Sequence, residues 1–170
     1  MEEKQILVRP VLAEEILKVQ SFLESQLVEL FCHKGKRVNM TDVAALQRTY
    51  IQPEDCNLWG AFLSTGELIG TGAVCRYNDR IALLKNLYHL PTTAEFGRCY
   101  VSQNFRRQGI GAQLVQTMSS FASDQNYTKV YLHTHHFLPG GFNFWKKQGF
   151  KIILEEDGPE QIVHMEKGLA

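Results

Sequence analysis

Apolar residues recur at two spacings along the chain, and the two spacings predict a mixture of helices and strands. Within residues 13–31 they recur every three or four positions, as on one face of an amphipathic helix. Elsewhere, β-prone apolar runs bounded by turn residues predict strands. The predicted strands are 5–8, 58–63, 68–76, 95–101, 129–135, 150–154 and 161–165, and the predicted helices are 13–31, 41–50, 111–126 and 141–148.

Three local features refine this order of elements. The hydroxyl of Thr41 is expected to cap the second helix, and Gly66 supplies the turn of a hairpin between the second and third strands. Residues 77–93 stay unassigned, because their apolar positions fit a helical turn as well as a strand. The predicted order is strand, two helices, three strands, helix, strand, helix and two strands.

Length and composition suit one globular domain over residues 1–170. Hydrophobic residues make up 44% of the chain and charged residues 21%, and Lys plus Arg equal Asp plus Glu at 18 each. Because the formal net charge is zero, no global field favours nucleic acid or an anionic membrane, and we expect neither as a partner. No apolar run reaches the length of a signal peptide or a membrane span, so a cytoplasmic location is expected.

The cysteines and histidines do not predict a metal site. Four cysteines lie about twenty residues apart without a CxxC pair, and we expect them to be reduced, mostly buried thiols. They are Cys32, Cys56, Cys75 and Cys99. His133 and His135 share one face of a strand, but no carboxylate or cysteine lies nearby in sequence to complete a metal site. We interpret these histidines as structural or substrate-lining.

The segment from Arg106 to Gly111 lies where a predicted strand ends and a predicted helix begins. Unpaired backbone N–H groups and the helix dipole favour an anion at such a helix N-terminus. The glycines at 109 and 111 leave room for a pyrophosphate beside the backbone, and Arg106 and Arg107 can add positive charge. Leu114 replaces the third glycine of a dinucleotide fingerprint, and the GKS or GKT of a Walker loop is missing, so both of those loops are disfavoured.

Three features of the chain resemble the GNAT superfamily of acyl-CoA N-acyltransferases. They are RxxGxG at 106–111, Val101 eight residues before Gly109, and FWKKQGF at 144–150. The match covers most of the chain, and the predicted order of elements is also that of the superfamily. The resemblance implies an α/β fold of the mixed α+β type, with a mostly antiparallel sheet of about seven strands, splayed at the cofactor site, and about four helices.

The resemblance also implies acetyl-CoA as co-substrate, no metal, and direct transfer of the acetyl group to a primary amine in a ternary complex. The backbone around Cys99, Tyr100 and Val101 would pair with the pantetheine arm as an added strand. The remaining implied cofactor contacts are Arg106, Arg107, Gln108, Gly109, Ile110, Gly111 and Ala112 around the pyrophosphate, and Trp145. The open alternative is that the glycines only make a tight turn between strand and helix.

Glu95 is the residue expected to act as general base. An amine nucleophile must lose a proton before it attacks, and a positioned carboxylate can accept that proton directly or through water. The position of Glu95, fourteen residues before Gly109, is similar to that of the catalytic glutamate in the histone acetyltransferase branch of the superfamily. The open alternative is a surface or ion-paired glutamate with Arg98 as its partner.

Trp145 departs from the superfamily, many of whose members carry a tyrosine there that hydrogen-bonds to or protonates the leaving sulfur. An indole N–H cannot act as that acid, and Tyr100 or Tyr131 could substitute. A thiol with a pKa of about 8.5 also leaves readily as thiolate. His135 or His136, at the end of a strand that faces the transfer channel in this superfamily, is a candidate proton relay. Two further departures, Leu138 for asparagine and Gly141 for alanine, bear on cofactor contacts.

The acceptor and the assembly are the features that the sequence determines least. In proteins of this type, two segments flank the acceptor entrance. One is the link between the first two helices, and the other is the last turn between two strands. Here the link at 33–37 is basic and the turn at 155–160 is acidic, which suits a zwitterionic or peptide-like amine or reflects two solvated loops. We expect a small-molecule or peptide amine as partner, and a homodimer stays open. A catalytically silent acyl-CoA-binding or regulatory module, and an acyltransferase with a longer acyl donor or a protein amine acceptor, stay open as other functions.

Overall fold

A mixed, mostly antiparallel sheet runs through the computed structural model, which describes residues 5–170. In that part of the chain, seven strands form one sheet in the order β1-β2-β3-β4-β5-β7-β6, with β4 and β5 parallel. The strands are β1 Ile6–Pro10, β2 Asn57–Leu63, β3 Leu68–Arg76, β4 Thr93–Val101, β5 Lys129–His135, β6 Lys151–Glu155 and β7 Ile162–Gly168. The α/β fold class and the order of elements along the chain expected from the sequence are confirmed.

Helices connect the strands where the apolar spacing predicts them. They are α1 Ile16–Leu30, α2 Thr41–Ala44, α3 Ile110–Asp124 and α4 Gly141–Lys147, with a π-helical turn at Gln47–Ile51. Within residues 5–170, no helix is both long enough and apolar enough to cross a bilayer.

The chain divides into two compact units. The first unit contains the described residues up to Ala73 and the segment Arg98–Met118. The second unit contains Val74–Gly97 and Ser119–Ala170. Strands β3 and β4 and helix α3 contribute residues to both units.

In the first unit, α1 buries the apolar face that the sequence predicts. Val19, Leu23 and Leu27 are fully buried. The start of the helical region is held by an ion pair, because Arg9 donates to both carboxylate oxygens of Glu15 at 2.7 and 3.0 Å. The same carboxylate accepts the backbone N–H of Leu12 at 3.1 Å, which satisfies a donor ahead of the helix.

The second helix is shorter than predicted, and no side chain caps it at its N-cap residue, Met40. The α-helix ends at Ala44, and the π-helical turn Gln47–Ile51 follows it. Thr41 is the first helical residue and not the cap, so that prediction was wrong. The Oδ1 atom of Asn39 accepts the backbone N–H of Thr41 at 2.9 Å and its hydroxyl at 2.6 Å. An asparagine side chain often accepts the backbone N–H two residues later in this way. The prediction that Thr41 caps the helix did not consider this turn.

In the second unit, the segment that the sequence left unassigned forms two short 3-10 turns, Ala82–Leu84 and Leu90–Thr92. Asp79 and Asn86 have φ angles of 58° and 62°, a left-handed conformation that Asp and Asn tolerate better than other L-residues. The side chain of Asp79 accepts the backbone N–H of Asn86 at 3.2 Å. The polar residues therefore close the loop by turns, and neither a regular helix nor a strand results.

The cysteines differ from the prediction. Cys56 and Cys75 are disulfide-bonded, whereas Cys32 and Cys99 are free thiols. The expectation of four reduced, mostly buried thiols was therefore wrong for Cys56 and Cys75. Cys32 is a free thiol, but it is exposed rather than buried. Disulfide formation depends on where the fold places the Cβ atoms, which sequence spacing does not show.

Candidate active site

The turn between β4 and α3 contains the predicted phosphate loop. The 3-10 turn Gln103–Phe105 leads into it, and α3 begins at Ile110, which is buried. Arg107 and Gly109 have φ angles of 62° and 81°, a conformation that suits glycine and strains arginine. Arg107, Gln108 and Gly109 are exposed. The loop is therefore a tight turn whose backbone is open to a ligand.

The start of α3 has the properties of an anion site. The backbone N–H of Gln113 donates to the carbonyl of Gly109 at 3.1 Å, so the N–H groups of residues 110–112 are the first-turn donors that a ligand can satisfy. The two arginines differ in their roles. Nε of Arg106 donates to the carbonyl of Val101 at 2.9 Å and braces the loop against β4, whereas Arg107 is the arginine exposed to a ligand.

Strand β4 has a left-handed residue at Arg98, with φ of 49°. Its guanidinium donates to both carboxylate oxygens of Asp42 at 2.8 and 2.7 Å, and to the carbonyl of Asn39 at 2.6 Å. The carbonyl of Arg98 accepts the hydroxyl of Thr71 at 2.8 Å. Because Arg98 pairs with Asp42, the expected alternative in which it pairs with Glu95 was wrong.

The predicted cofactor strand follows directly after Arg98. Cys99, Tyr100 and Val101 are half-buried, and the next backbone N–H, of Ser102, donates to the carbonyl of Ile69 at 2.8 Å. Burial raises the pKa of the Cys99 thiol to about 12. Burial also raises the pKa of Tyr100, against the opposing effect of the Arg98 guanidinium. Both side chains are therefore protonated at neutral pH, and Tyr100 keeps a hydroxyl proton to donate.

In the second unit, Glu95 forms an ion pair with Arg80. Both carboxylate oxygens accept from the guanidinium, at 2.5 and 2.7 Å. The side chain of Glu95 is 15% exposed and that of Arg80 is 45% exposed. Glu95 lies opposite Tyr131 in the parallel β4–β5 ladder. The ion-paired state is thus present, and each carboxylate oxygen keeps a second lone pair for a proton.

A buried hydrogen-bonded chain runs beside Glu95 in the same unit. The hydroxyl of Tyr131 and Nδ1 of His164 are 2.7 Å apart, and Nε2 of His164 is 2.7 Å from a carboxylate oxygen of Glu156. The imidazole ring thus links a phenol and a carboxylate through its two nitrogens. Tyr131 and His164 are 0% and 2% exposed. Burial is the main cause that raises the pKa of Tyr131, so this side chain stays a neutral phenol.

Sequence reasoning missed His164 and Arg80, and it considered Glu156 only as part of the acidic turn 155–160. The register of β5 and β7 places His164 opposite His133, and a sequence without that register shows two unrelated histidines. Strand alternation was the available signal, since it puts every second residue on the same face. It does not indicate which strands are neighbours.

His135 lies at the end of β5, and its Nδ1 donates to the carbonyl of Glu160 at 2.6 Å. Its ring is 5.9 Å from that of His133, so the two histidines share a face as predicted. His136 is exposed, and its Nε2 is 2.9 Å from a carboxylate oxygen of Glu155. Among residues 5–170, no group of three or more His, Cys, Asp or Glu side chains could hold a metal ion.

Trp145 belongs to the core of the second unit. It is 7% exposed, and its ring packs edge-on against Phe150 and Phe144 at centroid distances of 5.3 and 5.0 Å. The departure at Gly141 has a steric reason. A Cβ atom there would lie 2.8 Å from the hydroxyl oxygen of buried Thr134, so alanine does not fit without a shift.

The predicted site residues are distributed over both units. The first unit holds the loop 106–112 and the strand segment 99–101, and the second holds Glu95, His135 and Trp145.

Comparison with known proteins assigns the chain to a family. The sequence profile of the acetyltransferase (GNAT) family matches residues 22–150, which is most of the chain. The chain belongs to the GNAT family of acetyltransferases.

Individual GNAT proteins resemble different portions of the chain. N-acetyltransferase 8 of Rattus norvegicus is 32% identical over 111 residues, which are 65% of this chain and 46% of that protein. The chain thus spans about half the length of the curated relatives it matches. The structure of a GNAT acetyltransferase from Staphylococcus aureus superposes on this chain with a TM-score of 0.78 at 18% sequence identity. The superposition covers 98% of this chain and 100% of the Staphylococcus aureus chain.

A second solved structure is the spermidine N-acetyltransferase of Vibrio cholerae, in complex with CoA and spermine. It has a TM-score of 0.68 at 14% identity and covers 97% of this chain and 96% of its own. At these identities the solved structures establish the fold. The GNAT fold expected from the sequence is confirmed.

Proposed function

We propose that the chain is an N-acetyltransferase that moves the acetyl group of acetyl-CoA to a primary amine by direct transfer in a ternary complex. The observation that carries the proposal is the exposed turn at the start of α3, which has the RxxGxG spacing in a chain of the GNAT family. Acetyl-CoA supplies the activated thioester, and the chain supplies its binding, its orientation and the handling of protons.

The cofactor fits the residues present. The N–H groups of residues 110–112, the helix dipole and the exposed Arg107 favour the pyrophosphate, and Gly109 leaves the backbone open. We assign the pyrophosphate to residues 106–112 and the pantetheine arm to the backbone of Cys99, Tyr100 and Val101. Buried Trp145 would contribute by supporting α4 rather than by donating a proton.

Glu95 is the proposed acceptor of the amine proton. A lysine-like amine with a pKa of about 10.4 costs about 4.6 kcal/mol to neutralise at pH 7, so a positioned base has a large effect. Arg80 orients the carboxylate by donating to both of its oxygens. The second lone pair of each oxygen, or a water molecule on it, is the proposed acceptor.

Two further groups handle protons in the proposal. Tyr100 has a raised pKa and therefore carries the proton that a leaving thiolate takes up. In His135, Nδ1 donates to the carbonyl of Glu160, which fixes the orientation of the ring. This geometry supports His135 as a relay for the amine proton.

The proposed acceptor is a small-molecule or peptide amine. The Vibrio cholerae enzyme, whose structure contains spermine, makes a polyamine one candidate. Two carboxylates of the acidic turn already have hydrogen-bond partners, since Glu155 bonds His136 and Glu156 bonds His164. A longer acyl donor, a protein amine, and a silent acyl-CoA-binding module are the alternatives.

The cytoplasmic location stays a prediction, and the disulfide-bonded Cys56 and Cys75 weigh against it, since disulfides are typical of oxidising compartments.

The first test is calorimetric titration of the chain with acetyl-CoA. We expect micromolar binding, on the order of 8 kcal/mol, which Gly109→Trp abolishes. Gly158→Trp is the matched control, because Gly158 is exposed and a Cβ there would meet no described atom within 4 Å. Absence of binding by the unmodified chain would refute the proposal. Binding without thiol release on a broad amine panel would favour the silent module.

A further inference from the structure

Arg98 connects two parts of the first unit that the proposed reaction uses separately. It lies in β4 immediately before the residues assigned to the pantetheine arm, Cys99 to Val101. Its side chain reaches Asp42 in α2, a helix that follows the basic link at 33–37. The ion pair therefore joins the cofactor strand to the segment after that link.

The contact has the features of a fixed anchor. The guanidinium makes two parallel hydrogen bonds to Asp42, the strongest geometry for this pair of groups, and a third to the carbonyl of Asn39. The hydroxyl of Tyr50 donates to the same carboxylate, so the π-helical turn is held as well. The side chains of Arg98 and Asp42 are only 15% and 22% exposed. Such a pair loses little to solvent screening.

The backbone at Arg98 needs this anchor. A φ of 49° is an unfavourable conformation for a residue with a side chain, and it persists only where the surroundings impose it. On the other side of the strand, the hydroxyl of Thr71 binds the Arg98 carbonyl, and a Cβ on Gly70 would lie 3.3 Å from the carbonyl oxygen of Tyr100. The side chain and the carbonyl of Arg98 are thus held from two directions.

We infer that Arg98 is a positioning residue for the cofactor strand, and that through Asp42 it couples acetyl-CoA binding to the order of residues 39–50. The inference rests on the proposed function, because it assigns the pantetheine arm to Cys99–Val101. Neither Arg98 nor Asp42 needs to touch the cofactor. Coupling is reciprocal, so acetyl-CoA orders the segment 39–50 to the same degree that the ordered segment favours acetyl-CoA.

The test compares Asp42→Asn with Glu15→Gln. Both changes remove the charge from a carboxylate held by two arginine bonds, but Glu15 pairs with Arg9 ahead of α1, away from the cofactor strand in sequence. We expect Asp42→Asn to weaken the Kd for acetyl-CoA on the order of tenfold and to raise its KM with little change in kcat. Glu15→Gln should leave the Kd within about twofold. Equal effects of the two variants would overturn the inference.

Hydrogen exchange gives a second readout that does not depend on turnover. In the unmodified chain we expect acetyl-CoA to slow exchange in residues 39–50, and in Asp42→Asn we expect this protection to be lost. Tyr50→Phe removes one hydrogen bond from the same carboxylate and serves as a milder variant if Asp42→Asn does not fold. Undiminished protection of 39–50 in Asp42→Asn, or in Tyr50→Phe where Asp42→Asn does not fold, would overturn the coupling.

The proposed function and the positioning role fail in different ways. If the unmodified chain does not bind acetyl-CoA, the proposed function is refuted. In that case, hydrogen exchange at residues 98–102, measured without ligand, tests whether Asp42 anchors the strand. Faster exchange there in Asp42→Asn than in Glu15→Gln supports the anchor, and equal exchange refutes it.

Discussion

Arg80 donates to both carboxylate oxygens of Glu95, fifteen residues later in the chain, and so holds the proposed base in a fixed orientation. The ion pair and the catalytic role are compatible, because the guanidinium occupies one side of each oxygen. The partner is part of the same unit as Tyr131 and His164. Glu95 is therefore embedded in a set of titratable groups and is not an isolated surface carboxylate.

Glu95→Gln is expected to lower kcat by about 10²-fold or more, because the amide keeps the shape but accepts no proton at neutral pH. Steady-state rates with an accepted amine measure the effect. Glu15→Gln, which also neutralises an arginine-bound glutamate, should keep full activity. Unchanged turnover in Glu95→Gln would remove Glu95 from the mechanism.

Gly109→Ala is expected to destabilise the fold by about 1 kcal/mol and to weaken acetyl-CoA binding. With φ of 81°, Gly109 adopts a left-handed conformation that a Cβ atom disfavours. Thermal unfolding and calorimetry measure the two effects. Gly158→Ala serves as the control, because Gly158 is exposed and does not have a positive φ. Identical behaviour of the two variants would contradict the prediction.

Gly141→Ala is expected to lower the free energy of unfolding by about 1–3 kcal/mol, although alanine is the better helix former. The new Cβ would lie 2.8 Å from the Thr134 hydroxyl oxygen and 3.2 Å from Cβ of Leu138. Chemical denaturation measures the loss. In Gly168→Ala a Cβ meets no described atom within 4 Å, so this control should be close to neutral. A stabilised Gly141→Ala would show that α4 shifts freely.

Acid should destabilise the first unit through Asp42. Burial alone raises the pKa of this carboxyl, but the hydrogen bonds and charge of Arg98 outweigh burial, and the pKa lies below its ordinary value of 3.8. Because the folded-state pKa is the lower one, the stabilisation is present above pH 3.8 and is lost as pH falls through the folded-state pKa. Denaturant unfolding from about pH 5 to about pH 2 should show the difference between the unmodified chain and Asp42→Asn shrinking. A constant difference would contradict the assignment.

Thiol labelling should distinguish the two kinds of cysteine. Under denaturing, non-reducing conditions we expect alkylation at Cys32 and Cys99 only, since Cys56 and Cys75 are disulfide-bonded. After reduction, all four should react. Mass spectrometry of the labelled peptides locates each modification. Labelling of Cys56 and Cys75 before reduction would show that these two are thiols, as the sequence suggested.

The sequence alone determined the elements whose pattern is local. Apolar spacing of three and four residues located α1 and α3, and β-prone runs located all seven strands, because backbone geometry fixes these periods within one element. The loop at 106–111 was found in the same way, since a helix start after a strand, two glycines and two arginines are consecutive in the chain. The family followed from motifs of the same local kind.

Only the tertiary structure decided which side chains meet. Arg98 was the partner considered for an ion-paired Glu95, yet it binds Asp42, fifty-six residues earlier, and Arg80 binds Glu95. The chain from Tyr131 through His164 depends on the register of β5 and β7. A carboxylate is equally attracted to any guanidinium, so chemistry does not select among arginines. Strand order and register select the partner, and they result from burying the whole core rather than from any short segment.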